Sequence, residues 1–259
     1  MKKIITITLT ILLLFSMLCL SSCDSILQKI GLVDEKPSEV ATVAGKTPKE
    51  LMQTTTEVLN NTTNYTSKTK QVISYSSNGQ VGQSFTNTTI KSDGNNSYIL
   101  VDTNGYTSME VWYVDGMCYI STQGQKVKAP LSIEEYKEQI LESNVTLESL
   151  IDPEDAQFDN AVFKAKGDYW TITFSVDSEI MEKIYQDVFG ITGITFDGDI
   201  RFTWYFDDDG NLIKNATAFD YTMNGIKMKS ESVVTYDFAP VTISPPDDAN
   251  SFTLDNSIV

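Results

Sequence analysis

Ile200-Arg201-Phe202-Thr203-Trp204-Tyr205-Phe206-Asp207-Asp208-Asp209-Gly210-Asn211-Leu212-Ile213 decides the fold. Ile200, Phe202, Trp204 and Phe206 recur at every second position, so one face of an extended segment is large and apolar. Asp209-Gly210 is a tight-turn signal, and a second extended run over about 211–223 follows it. Asn224-Gly225 then turns the chain into a third run. There Ile226, Met228, Val234, Tyr236 and Phe238 alternate with Lys227, Lys229, Glu231 and Asp237. An apolar face backed by a polar one is the pattern of an antiparallel sheet with one wet side.

The same signals recur upstream. Asn78-Gly79, Asp93-Gly94, Asn104-Gly105, Asp115-Gly116 and Asp197-Gly198 carry residues that tolerate the positive φ angles of hairpin turns. They divide the first half into strands near 64–77, 80–92, 95–103, 106–114 and 117–123, an antiparallel meander rather than a βαβ fold. After Pro130 strands resume near 157–166 and 168–176. In the latter, Trp170, Ile172, Phe174 and Val176 share a face opposite Tyr169, Thr171, Thr173 and Ser175.

Helices interrupt the meander. Thr47-Pro48-Lys49-Glu50 is a capping box with proline at the first helical position, opening a helix that ends near Asn60-Asn61. Ser132-Ile133-Glu134-Glu135 is a second box, followed by Tyr136 and Ile140 at helical spacing. A short helix over about 145–151 stops at Asp152-Pro153. Asp177 or Ser178 caps a further helix with Ile180, Met181, Ile184, Tyr185, Val188 and Phe189 on one stripe, closed by Gly190. The fold class is therefore α+β: a curved antiparallel sheet whose aromatic face is covered by a few helices. Val241-Thr242-Ile243-Ser244-Pro245-Pro246 leaves the domain extended, and residues 251–259 form a frayed tail.

Lys2 and Lys3 precede an apolar run that ends in Leu20-Ser21-Ser22-Cys23. A basic start, an apolar core and a small-residue end are the order of a signal peptide. The run is near the lower limit for a membrane span and contains Thr6, Thr8, Thr10 and Ser16, with no basic stop-transfer cluster after it. A plain secretory signal and a single span are the competing interpretations. Residues 23–46, with Pro37 and Gly45, have the composition of a flexible tether. The folded domain is expected over 47–250.

Composition excludes several functions. Nineteen Lys and Arg against 35 Asp and Glu give a net charge of −16; loss of Lys2 and Lys3 with the leader leaves 17 basic residues and takes this to −18. Such a chain repels nucleic acid and anionic headgroups. Histidine is absent, which removes Ser-His-Asp and Cys-His catalysis and the usual zinc sites. Beyond Cys19 and Cys23 stands only Cys118, in the apolar run Met117-Cys118-Tyr119-Ile120, where a buried inert thiol is expected. Asp207-Asp208-Asp209-Gly210-Asn211 lacks EF-hand spacing, since Tyr205 would stand at the first ligand position, and reads as a charged hairpin turn. No carboxylate pair stands out as glycosidase-like. No catalytic residue, metal site or cofactor is assigned, and the chain is read as non-enzymatic.

Several stretches carry resemblances to known families. Leu20-Ser21-Ser22-Cys23 resembles the lipobox of bacterial lipoproteins. That implies removal of residues 1–22, acylation of Cys23 and a domain held at the extracytoplasmic side of the cell membrane. Tyr113-Val114-Asp115-Gly116-Met117-Cys118-Tyr119-Ile120, the Trp204–Ile213 stretch, the long hairpin after it and the Val241-x-Ile243-x-x-Pro246 ending resemble LolA-like carriers of lipoproteins and lipids. The resemblance implies a half-barrel enclosing an apolar cavity for acyl chains, under helices. The studied carriers use an arginine in the cavity region; Arg201 is the only arginine here.

Trp170, Phe174, Phe202 and Trp204 from strands, with Ile184, Val188 and Phe189 from a helix, either line such a cavity or fill a core. The function expected is binding, carrying or sensing of a lipid or acyl chain. The alternative is an envelope scaffold or regulatory protein that holds another protein or peptide through loops or a sheet edge.

Overall fold

The computed structural model describes residues 38–77, 80–136, 150–160, 162–188 and 190–255. The leader, Cys23, Asn78-Gly79, Ile140, most of the 145–151 helix and Phe189 lie outside them. Contacts along the chain define a compact unit from Glu39 to Val259. No helix among the described residues is long and apolar enough to cross a membrane.

The unit is one large open curved sheet with few helices. The first strands are β1 (Glu39–Val40), β2 (Asn64–Ser77), β3 (Gln80–Asp93), β4 (Ser97–Thr103), β5 (Tyr106–Val114), β6 (Met117–Thr122) and β7 (Gln125–Pro130). The second group is β8 (Gln157–Phe158), β9 (Phe163–Lys166), β10 (Tyr169–Val176), β11 (Ile194–Phe196), β12 (Ile200–Phe206), β13 (Leu212–Met223), β14 (Ile226–Asp237) and β15 (Thr253–Leu254). Their spatial order is β1-β9-β10-β12-β13-β14-β2-β3-β4-β5-β6-β7-β15, with β11 on β13 and β8 on β10. Every pairing is antiparallel except β15 on β7. The long β14–β2 ladder joins the two halves of the chain.

Local chemistry explains the elements. Helix α1 (Pro48–Asn61) opens on the capping box: Thr47 Oγ1 accepts from the Glu50 amide, and the Glu50 carboxylate accepts from the Thr47 amide at 2.9 Å. The bond from the Thr47 amide, with one from the Thr47 hydroxyl at 2.8 Å, holds the Glu50 carboxyl below its usual range. Helix α2 (Ile133–Tyr136) opens the same way through Ser132 and Glu135. Helix α3 (Ser178–Asp187) starts on Asp177, whose carboxylate accepts from the Glu179 amide at 2.8 Å. The turns Asn104-Gly105, Asp115-Gly116 and Asn224-Gly225 all take the paired positive φ angles of a type I′ hairpin.

Four expectations change. Gln123-Gly124 adopts φ angles of 49° and 80° and makes the same kind of turn, adding β7, which the pattern before Pro130 did not reveal. Pro130 is tolerated because it is the last residue of that strand. Residues 39–46, assigned to the tether, belong to the domain: Glu39 pairs with Lys164, and Val43 is buried in the core. Residues 252–255, expected to fray, are docked: Phe252 is buried and Thr253–Leu254 pairs with β7. Asp197-Gly198, by contrast, closes no hairpin, since β11 pairs with β13 and not with β12.

Two apolar clusters form on one face of the sheet, here called the inner face. The larger lies on β9, β10, β12, β13 and β14 beneath α1 and α3. The smaller lies on β3 to β6 beside α2.

Candidate functional site

The register assembles the inner face from residues far apart in sequence. Ile172 pairs with Trp204, Trp204 with Asn215, Asn215 with Val234, and Val234 with Thr69. Thr69 pairs with Thr88, and Thr88 with Val101. A neighbouring row runs Phe174, Phe202, Thr217, Ser232, Gln71 and Thr86. Cross-strand partners share a face, so each row is a line of adjacent side chains.

The aromatic residues singled out in the sequence meet at one end of these rows. Phe174 stacks on Phe202, with centroids 5.2 Å apart and planes at 12°, and meets Trp204 edge to face at 5.4 Å. All three are fully buried, and Trp170 nearly so. Trp170 Nε1 donates to Asp208 at 2.7 Å. Each fully buried ring contributes roughly 2–3 kcal/mol by removal of apolar surface from water. Helix α3 is docked shallowly on this cluster: Met181 is fully buried, Ile184 is half-buried, and Val188 is 46% exposed just past the helix end.

Between the two clusters the inner face changes character. Thr69, Gln71, Thr86 and Thr88 are half-buried, and Asn215, Thr217 and Ser230 are buried. Gln71 Nε2 donates to Ser230 at 3.2 Å, and Asn215 Nδ2 donates to the Tyr236 hydroxyl at 3.1 Å. Three buried atoms here have no hydrogen-bond partner: Trp204 Nε1, Asn215 Oδ1 and Thr217 Oγ1. Each such group typically costs about 1–3 kcal/mol. Sequence reasoning missed this strip. Its signal was the Ser and Thr at alternate positions of 64–92 and 215–232, which by themselves read as a wet face.

Charge is sorted by face. Among the described residues, no strand position from β9 to β7 in the rows through the two clusters and the strip is Lys, Arg, Asp or Glu. Lys68, Lys70, Lys214, Lys229 and Glu231 stand at the alternating outer positions. Arg201 is also outside, paired with Asp159 and 64% exposed, away from the aromatic cluster. Lys214 packs over the Tyr205 ring at 3.9 Å on that outer surface.

The smaller cluster is closed by tyrosines. Tyr113 and Tyr136 stack at 4.3 Å; the Tyr136 hydroxyl bonds Ser97, and the Tyr113 hydroxyl donates to the Leu131 carbonyl at 3.2 Å. Burial pushes the Tyr136 hydroxyl up to about 12 and the Cys118 thiol up to about 11. A thiol held neutral and buried is a poor nucleophile.

The acidic hairpin is satisfied internally: Asp207 accepts from the Asn211 amide at 2.8 Å and from its side-chain nitrogen at 3.0 Å. Among the described residues no group of three or more Cys, Asp and Glu is placed to hold a metal ion. Open surface grooves occur among the described residues. One, of about 370 Å³, lies between Trp112, Glu110 and the Pro245–Asp248 segment; another, of about 320 Å³, lies by Tyr75, Val81 and Met228.

No protein family and no curated protein matches the chain in sequence. Solved structures do. LprF from Mycobacterium bovis is 11% identical, with a TM-score of 0.41 over 76% of this chain and 96% of LprF. The lipoprotein LppX of Mycobacterium tuberculosis is 9% identical, with a TM-score of 0.43 over 76% of this chain and 97% of LppX. The LolA superfamily protein NE2245 from Nitrosomonas europaea is 11% identical, with a TM-score of 0.27 over 78% of this chain and 96% of that one. The likeness is one of fold alone.

Proposed function

We propose that the chain is a lipoprotein acylated at Cys23. It holds its domain on the extracytoplasmic side of the cell membrane and binds a lipid or acyl chain on the inner face, to carry or to sense it. The observation that supports this best is the inner face itself. It stays uncharged where it is half-exposed between the clusters, while lysines and carboxylates stand at the outer positions. An ordinary solvated sheet face would carry charge there.

In this reading Trp170, Phe174, Phe202 and Trp204 form the floor for the acyl chain, and Ile184, Val188 and Phe189 belong to the cover. Shallow docking of α3, with Met181 as its one fully buried side chain among the described residues, makes that cover inexpensive to displace. The protein acts by binding and not by catalysis. An acyl chain buried there gains roughly 0.8 kcal/mol per methylene.

Both clusters and every described strand pairing lie within Glu39–Val259, so a chain beginning at Asp24 keeps the whole fold. Native mass spectrometry of that chain, with organic extraction, tests the proposal. A defined co-purifying lipid is expected. A clean apo mass with no uptake of added fatty acid or phospholipid overturns it and leaves the envelope scaffold.

A further inference from the structure

We infer that the polar strip of the inner face recognises the hydroxyl of an uncharged acylated alcohol, so that the protein selects neutral acylglycerols over anionic lipids. The inference rests on the lipid-binding reading above and names its ligand class.

The first argument is charge. A phosphate or carboxylate headgroup buried without a cation loses its hydration with nothing to replace it. The strip offers no cation among the described residues: Thr69, Gln71, Thr86 and Thr88 on one side and Asn215 and Thr217 on the other are all neutral. A net charge of −16 for the chain adds to the repulsion of anions.

The second argument is hydrogen-bond complementarity. Trp204 and Asn215 are register partners on neighbouring strands and both are fully buried. The indole Nε1–H is a donor with no acceptor, and Asn215 Oδ1 is an acceptor with no donor. The Asn215 amide nitrogen is already committed to Tyr236, which fixes the side chain with its oxygen free. An alcohol hydroxyl answers both, accepting from the indole and donating to the amide oxygen. An ester carbonyl answers only Trp204. Thr217, one pair along, has its own hydroxyl unmatched and is the register partner of Ser232, through which it joins the half-exposed part of the strip. The aromatic cluster on β10 and β12 adjoins these residues, so an acyl chain there places its alcohol head at the strip.

The test uses the delipidated Asp24–Val259 chain with equal monooleoylglycerol, oleate and dioleoyl phosphatidylglycerol, read by native mass spectrometry. Monooleoylglycerol is expected to occupy the protein at least about tenfold over either anion, since oleate lacks the alcohol hydroxyl and phosphatidylglycerol, which has one, would bury its phosphate charge without a cation. Equal or preferred uptake of oleate or the phospholipid overturns the inference and keeps the lipid reading. Uptake of none overturns both. Thr217→Val and Trp204→Phe are each expected to reduce the preference roughly threefold or more while retaining cooperative melting. An unchanged preference in whichever variant melts cooperatively assigns the three unmatched atoms to packing alone and overturns the inference.

Discussion

Phe252 meets Tyr119 edge to face, with ring centroids 5.4 Å apart and planes at 88°, and it meets Trp112 likewise at 6.2 Å. The C-terminal segment is therefore a strap over the outer face of β5–β7. An ion pair between Lys126 and Asp248, a bond from Lys128 to the Ala249 carbonyl at 3.0 Å and the parallel pairing of β15 hold it down. Phe252→Ala should cost about 3–5 kcal/mol, the usual range for emptying a buried aromatic site. Its denaturation midpoint should fall, and limited proteolysis should cut the segment after Pro246. A midpoint equal to the parent's would show that the strap adds nothing to stability.

Alkaline pH should destabilise the domain through two buried groups. Burial raises the Cys118 thiol from 9.0 to about 11 and the Tyr136 hydroxyl from 10.0 to about 12. Both groups stay neutral in the folded protein while the unfolded chain already releases their protons. Stability is thus full below about pH 9 and falls as pH climbs through 9 to 12, by on the order of 2 kcal/mol for each group. Melting as a function of pH checks this. Cys118→Ala should flatten the part of the fall between about 9 and 11, and the parent's thiol should resist thiol reagents until the fold opens.

How far the sequence shows this arrangement depends on the range of each signal. Caps such as Thr47 with Glu50 and turns such as Asn104-Gly105 are local, and they lie where the residues place them. The aromatic stripe is local too, and since β10 and β12 are direct neighbours, Phe174, Phe202 and Trp204 come together. The β14–β2 ladder has no local signature, because Val234 and Thr69 are 165 positions apart in the sequence. Without that pairing, the Ser and Thr of β2 and β3 give no hint of which face is inner, and the strip stays hidden. Gln123-Gly124 escaped notice because glutamine rarely takes positive φ. Spacing puts Val188 on the α3 stripe, but the helix ends at Asp187 and leaves it half-exposed.

Arg201 tests whether an arginine matters to ligand binding here. Its side chain is 64% exposed, on the outer face, and bonded to Asp159. An exposed pair of this kind contributes about 0–1 kcal/mol. Arg201→Ala should leave lipid uptake unchanged and shift the melting temperature only slightly. Loss of uptake with the fold intact would place the guanidinium in the binding pathway after all.

The anchor rests on Leu20-Ser21-Ser22-Cys23. Cys23→Ser expressed in a bacterial host should accumulate as an uncleaved, unlipidated precursor by mass spectrometry, and the parent should carry acyl mass on Cys23. Normal processing of the variant would point to a plain secretory signal. One chain alone binds a membrane only marginally, so the parent should carry at least two.

The acidic turn is tied to the aromatic cluster through Asp208, which accepts from Trp170 Nε1 at 2.7 Å. Trp170 is 6% exposed, so its N–H has little water to fall back on. Asp208→Ala should cost about 1–3 kcal/mol, the penalty for stranding a buried donor, whereas Asp208→Asn keeps an acceptor and should cost less. Because Asp207 is already occupied by the Asn211 amide and side chain, calcium should bind this turn no more tightly than millimolar. Calorimetry with calcium and chemical denaturation of the two variants read these separately. Equal losses in both variants would mean that the carboxylate charge, and not the bond to Trp170, holds the turn.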